Sequence, residues 1–230
     1  MNRPSLSSIR DGGPRPFLVA HRAGNRLSDL HAAERLSPTL VEADVRLYRG
    51  RLEVRHLKTA GPIPVLWDRW KLVASWRRQL RLEELLAATD PETELMLDLK
   101  GPRKRLAELV LREIEPYLSE RRFTVCARWW RLLEPFAGTP VRRVYSIGSA
   151  LQLRSALRRL ANQALEGVSI HERLADKESI TALGETADVV MAGPVNESAR
   201  ARSLLRLGVH GLITDDAAAL SSAGILEPTT

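Results

Sequence analysis

A single cysteine in 230 residues, Cys126, excludes an internal disulfide and suits a reducing, cytoplasmic setting. No apolar run approaches the roughly 18 residues that a membrane-spanning helix needs, so the chain reads as soluble. The opening "MNRPSLSSIRDGGPRP" has no apolar stretch of the secretory kind and reads as a floppy leader over 1–16. No glycine-rich phosphate loop opens the first helix, which counts against an open doubly wound sheet. Acids are fewer than bases, 28 against 35, giving a formal charge of +7 and a pI near 10.1. Yet there is no zinc-finger spacing and no dense basic arm, and the few aromatics (5%) do not interleave with the bases. The arginines are spread over helix patterns such as "WRRQLRLEELL" and "LQLRSALRRL", as on solvated faces. The charge therefore suits an anionic small substrate, or at most peripheral contact with a phospholipid surface, rather than nucleic acid. A nucleic-acid phosphodiesterase would instead show a rate falling steeply with salt.

What is present is alternation. Eight β-rich segments, "FLVAHR" (17–22), "TLVEADVRL" (39–47), "ELMLDLK" (94–100), "FTVCAR" (123–128), "RRVYSIG" (142–148), "GVSIHE" (167–172), "DVVMAGPV" (188–195) and "HGLITDD" (210–216), are mostly followed by helical patterns. That order predicts an α/β fold, a single-domain (β/α)8 barrel over 17–220 with a tail at 221–230. After "EADVRLYRG" the chain turns at Arg-Gly into "RLEVRHL", a β-hairpin extension on strand two. The following "KTAGPIPVLWDRWKLVASWRRQLR" carries Trp67, Trp70 and Trp76 and reads as a lid or side-wall, or as a plug on the barrel flank.

Barrel chemistry sits at the C-terminal ends of the strands, and several polar residues fall there. His21 and Arg22 end strand one. Glu42 and Asp44 are two apart on strand two, so both point to one face, and Asp98 and Lys100 repeat that relation on strand three. His56 ends the hairpin. Carboxylates at that density repel one another and raise each other's pKa, a conflict that a divalent cation resolves. All-oxygen ligation favours Mg²⁺ or Ca²⁺. Arg22 and Lys100 would then face a substrate anion, and His21 and His56 are the proton-transfer groups. Together these describe phosphoryl-ester cleavage. His171 and Glu172 end strand six near the mouth, and Asn25 and Asn196 either line the pocket or cap turns. His31 reads as surface, His210 as a turn residue at the opposite end and Cys126 as core. Asp215 and Asp216 end strand eight, where they can cap the next helix.

At "HRAG", "EAD", "VRH", "DLK" and "GVHGLITDD" the sequence resembles the glycerophosphodiester phosphodiesterases, from residue 17 to about 220. The resemblance implies metal ligation by Glu42, Asp44 and Asp98, and acid/base catalysis by His21 and His56. It also implies phosphate binding by Arg22 and Lys100, with release of an alcohol and glycerol 3-phosphate from a glycerophosphodiester; a lysophospholipid is the other substrate considered. Asp98 stands where most relatives carry Glu, and "MAGPVN" replaces the family's aromatic segment. The first connection is short and an Asp-Leu-Lys is present, both features of the related sphingomyelinase D-like phospholipases, which form a cyclic phosphate. A phosphate- or phospholipid-binding barrel without turnover is the reading from a different class.

Overall fold

The computed structural model of the chain describes residues 16–36, 39–59, 65–68, 71–74, 78–159 and 164–226. The expected leader, apart from Pro16, lies outside the described residues, as do Trp70 and Trp76. Among the described residues thirteen strands are present: β1 (Phe17–Ala20), β2 (Thr39–Tyr48), β3 (Arg51–Val54), β4 (Lys58–Thr59), β5 (Val65–Asp68), β6 (Lys71–Ala74), β7 (Leu80–Arg81), β8 (Leu95–Leu99), β9 (Phe123–Ala127), β10 (Arg142–Ile147), β11 (Gly167–His171), β12 (Val190–Gly193) and β13 (Gly211–Thr214). Eight of them run parallel in the order β1-β2-β8-β9-β10-β11-β12-β13. The ring closes because β1 pairs with both β2 and β13. This is the (β/α)8 barrel expected from the alternation.

Helices α1 (Leu27–Glu34), α2 (Leu82–Ala88), α3 (Lys104–Ile114), α4 (Ala150–Arg159), α5 (Lys177–Gly184), α6 (Ser198–Arg206) and α7 (Ala217–Ser222) stand between or after the barrel strands. In α3, Leu106, Ala107, Val110 and Ile114 recur at helical spacing and are all buried. Among the described residues only the connection from β9 to β10 lacks an α-helix. It holds a 3-10 helix, Trp130–Phe136, with Pro135 inside, a residue that removes a donor and clashes with the preceding turn of an α-helix.

The strands bury both faces. Leu18, Val41, Leu97, Val125 and Ile170 face the helices, while Phe17, Val19, Met96, Cys126, Val144 and Met191 fill the barrel interior. Below that apolar layer, Thr124 donates to Glu94 (2.8 Å), with Arg142 3.9 Å from the same carboxylate oxygen. His210 lies at this lower end too, its Nδ1 accepting from the Val190 N–H (3.0 Å). Above the apolar layer the interior becomes polar, and there the site lies.

The hairpin on β2 is present. Arg49 (φ 48°) and Gly50 (φ 78°) both adopt the left-handed region that a two-residue type I′ turn demands, and β3 pairs antiparallel with β2 from Tyr48–Arg51 to Val45–Val54. The tryptophan segment, expected as a lid, side-wall or plug, contributes a sheet of its own. Strands β4, β5 and β6 form their own three-stranded antiparallel sheet, registered outside the ring. "VLWD" and "KLVA" are two short, mainly apolar runs two residues apart, the spacing of a hairpin.

The chain leaves β1 through a 3-10 turn, Ala23–Asn25, which lies against β2 ahead of α1. A Cβ on Gly24 would meet the Ala43 Cβ at 2.7 Å and the Glu42 carbonyl oxygen at 3.1 Å. Gly24→Ala is therefore expected to push this turn off β2 at a cost of about 1–3 kcal/mol. The melting temperature should fall by about 3–10 °C, measured by circular dichroism.

Candidate active site

The parity of the strands assembles the site. In the barrel strands the residues two and four beyond an interior apolar residue also point inward, and near the C-terminal ends most of these are polar. Thus β1 leads to His21, β2 to Glu42 and Asp44, β8 to Asp98 and then Lys100. Similarly β9 leads to Arg128, β10 to Ser146, β11 to Ser169 and His171. A cavity of about 660 Å³ opens at this end, lined by His21, Arg22, Glu42, His56, Asp98 and Lys100 among others. All seven residues singled out from the sequence lie in or directly against it, Asp44 being fully buried beneath.

Glu42, Asp44 and Asp98 offer oxygen atoms within 4.8 Å of one another. Burial, and then the neighbouring Asp44 carboxylate, push Glu42 well above the usual carboxylate range. Burial alone would raise Asp44 as well. His56, Lys100 and Asn25 outweigh it and hold Asp44 well below its ordinary value. Asn25 grips that carboxylate residue twice: its Nδ2 donates to Asp44 Oδ2 (2.7 Å) and its Oδ1 accepts from the Asp44 backbone N–H (2.8 Å). Lys100 Nζ lies 2.8 Å from Asp44 Oδ1 and also contacts Asp98. Those acids keep its ammonium charged against a burial penalty that alone would lower its pKa.

Arg22 has φ 59° and ψ 9°, in the left-handed region that is costly for a residue with a Cβ, about 1–2 kcal/mol. The turn places its N–H against Glu42 Oε2 (2.6 Å) and its Nη2 3.1 Å from His56 Nε2. His56 Nδ1 faces Asp44 Oδ2 at 3.2 Å. Since a guanidinium only donates, His56 Nε2 accepts from it and Nδ1 carries the proton toward Asp44.

His21 is held from the far side of the ring. Its Nδ1 is 2.7 Å from Asp215 Oδ1, and Asp215 is itself fixed by Asn196, whose Nδ2 donates to Oδ2 (3.1 Å) and whose Oδ1 accepts the Asp215 N–H (2.9 Å). Burial lowers the His21 pKa, partly opposed by the Asp215 hydrogen bond. His21 is thus a neutral imidazole with Nε2 free as a base. Reading Asp215 from the sequence only as a helix cap missed this contact. Asp216 is the cap, accepting from the Ala219 N–H (2.9 Å). The parity from Ile213, inside the barrel, to Asp215 was the available signal. The remaining histidines fall as expected: His31 is exposed on α1, and His171 lines the cavity. Cys126 is buried, and burial pushes its thiol pKa up, so it is no nucleophile.

Glu42 Oε1 and Asp98 Oδ1 are buried with no hydrogen-bond partner. Oxygen atoms left bare in that way are what a hard cation would satisfy, and an all-oxygen set of three carboxylates fits Mg²⁺ or Ca²⁺ better than zinc.

No protein-family model matches the sequence, and no curated protein is significantly similar to it. Solved structures are similar over nearly the whole chain. A phosphodiesterase of Oleispira antarctica, solved in complex with the product sn-glycerol-3-phosphate, shares 17% identity, covering 96% of this chain and 99% of its own, at a TM-score of 0.73. The glycerophosphodiester phosphodiesterase of Thermotoga maritima shares 16% (90% and 98% covered, TM-score 0.71). One from Parabacteroides distasonis shares 15% (92% and 98%, TM-score 0.67). The fold is that of the glycerophosphodiester phosphodiesterases. At such identity the likeness concerns the barrel and its additions, and the chemistry rests on the residues described above. Among the described residues no helix is long and apolar enough to cross a membrane.

Proposed function

We propose that the protein is a metal-dependent phosphodiesterase that cleaves glycerophosphodiesters by two-histidine acid/base catalysis. The observation that carries this reading is the pairing of two imidazoles, each oriented through Nδ1 by an aspartate, with a buried cluster of three carboxylates in one cavity. A site that merely held phosphate would need neither oriented imidazole. The product bound in the Oleispira antarctica structure belongs to the same substrate class.

Glu42, Asp44 and Asp98 would hold the ion, which supplies charge stabilisation at the phosphorus centre. Lys100 and Arg22 bind the non-bridging phosphate oxygens, Arg22 leaving His56 Nε2 as it does so. His21 Nε2 takes the proton of the glycerol 2-hydroxyl, whose oxygen forms a bond to phosphorus. Once Arg22 has turned to the phosphate, His56 Nε2 takes up a proton from solvent and Asp44 holds the resulting imidazolium. The bond from phosphorus to the leaving alcohol then breaks, and His56 gives that alcohol the Nε2 proton. Water then opens the cyclic phosphate with the two histidines in exchanged roles, giving glycerol 3-phosphate.

A panel of glycerophosphodiesters, lysophospholipids and sphingomyelin, each run with Mg²⁺, Ca²⁺ or EDTA, tests the reading. Release of sn-glycerol 3-phosphate that stops in EDTA is expected. Metal binding without turnover on any member would overturn it in favour of a phosphate-binding barrel.

A further inference from the structure

Half of the cavity takes no part in the chemistry above. Across the mouth from Glu42 and Asp98, the wall is made by Arg128, Ser146, Gly148, Ser169 and His171, from the ends of β9, β10 and β11. Arg128 differs from Arg22 and Lys100, the two cations assigned to the reacting phosphate. The Arg22 guanidinium is held between His56 and Asp44, and Lys100 by Asp44 and Asp98. No carboxylate among the described residues is paired with Arg128, although it lines the cavity.

Its position is nonetheless built. The side chain leans from β9 away from β8 and lies on the backbone of Gly148, where a Cβ would stand only 1.9 Å from Arg128 Nη2. The absence of a side chain at 148 is what lets the guanidinium occupy that place. Gln152 locks the two backbones together, its Oε1 accepting from the Gly148 N–H (2.9 Å) and its Nε2 donating to the Arg128 carbonyl (3.3 Å). One strand further on, His171 Nδ1 accepts from the Arg173 N–H (3.3 Å), which leaves its proton on Nε2 and makes it a second donor. A quaternary ammonium would find poor company here. Trp129, the aromatic side chain of the cavity wall among the described residues, already carries the Arg131 guanidinium 5.8 Å from its ring centre.

We propose that Arg128, seated on Gly148, forms a second anion subsite that selects diesters whose leaving alcohol carries a further phosphate. This rests on the phosphodiesterase reading and names its substrate class. A guanidinium and an imidazole N–H spread over two strand spacings, roughly 10 Å at 4.8 Å each, suit a phosphorylated polyol. A small amine such as choline would bring a positive charge to the wrong half.

The test compares kcat/KM for glycerophosphoinositol 4-phosphate with glycerophosphoinositol, two substrates differing by that one phosphate, in the full chain with metal. The wild type should prefer the phosphorylated diester by about tenfold or more, the scale of a charge-assisted contact. Arg128→Met should cut that ratio about tenfold, and Gly148→Ala, which displaces the guanidinium without removing it, by several-fold. Arg131→Met, which removes an equal charge outside the subsite, controls for the general field of a +7 protein. A wild-type ratio near one, a ratio unchanged in both variants, or an equal fall in Arg131→Met would each overturn the proposal. If no diester is turned over, the phosphodiesterase reading fails instead. The subsite is then judged by calorimetric titration of the same two compounds, where Arg128→Met should abolish any preference and an equal Kd in the wild type would sink it.

Discussion

Asp215→Asn should lower kcat about a hundredfold with little change in KM, and His21→Ala should lower it by about 10³–10⁴. The ordering follows from the geometry. Removing the imidazole deletes the base. In Asp215→Asn the introduced amide can still meet Nδ1 at the 2.7 Å contact, but it presents either its oxygen or its NH₂ and no charge. The imidazole then loses the partner that fixes its tautomer. The pH profile separates this from a structural fault. Asp215 raises the His21 pKa against the lowering effect of burial, so its loss must lower that pKa further. The limb of the kcat/KM profile that reports His21 should move to lower pH in Asp215→Asn. A lower plateau with an unmoved limb would remove Asp215 from the proposed positioning role.

Metal removal should have the second large effect. A ligand present at about 100 times its Kd stabilises the fold by about 2.7 kcal/mol, which in a chain of this size is about 5–10 °C in melting temperature. Mg²⁺ or Ca²⁺ added to EDTA-treated protein should give a shift of that order, and Glu42→Gln should abolish it together with turnover. The sign of the pH dependence follows from Glu42. Its pKa in the metal-free protein lies well above the usual 4.5 because of burial and Asp44. The ion must therefore displace a proton wherever the pH is below that raised value. Affinity should tighten as pH rises toward that raised value, with proton release detectable by calorimetry in buffers of different ionisation enthalpy. Glu42→Gln keeps the volume and removes the titration. If the ion shifts the melting temperature of Glu42→Gln as much as that of the native protein, the proposed ligand set is wrong.

Most of the architecture was legible because barrel strands and their helices are local patterns. Apolar runs of four to ten residues, ended by glycine and polar clusters, marked all eight strands of the ring. The i, i+2 spacing of Glu42 with Asp44 and of Asp98 with Lys100 put those residues on one face without any knowledge of their neighbours. The Arg-Gly step between "RLY" and "RLEV" likewise announced a two-residue hairpin. Less legible was the β4–β5–β6 sheet, whose strands of two to four residues carry too few side chains for a clear period. The 3-10 connection was hidden because Pro135 interrupts a segment too short to set its own rhythm.

What the sequence by itself determined about this protein is which side chains point into the barrel, since that parity belongs to each strand alone. What only the tertiary structure decided is which of them meet. His21 and Asp215 lie 194 positions apart, and they touch because β13 pairs with β1 when the ring closes. Arg128 and Gly148 follow two strands whose neighbourhood is a fact of the sheet, and the grip of Asn25 on Asp44 likewise depends on β1 lying beside β2. Contacts of that kind depend on strand order and register, quantities that hydrogen bonding between distant segments sets and that no local spacing carries.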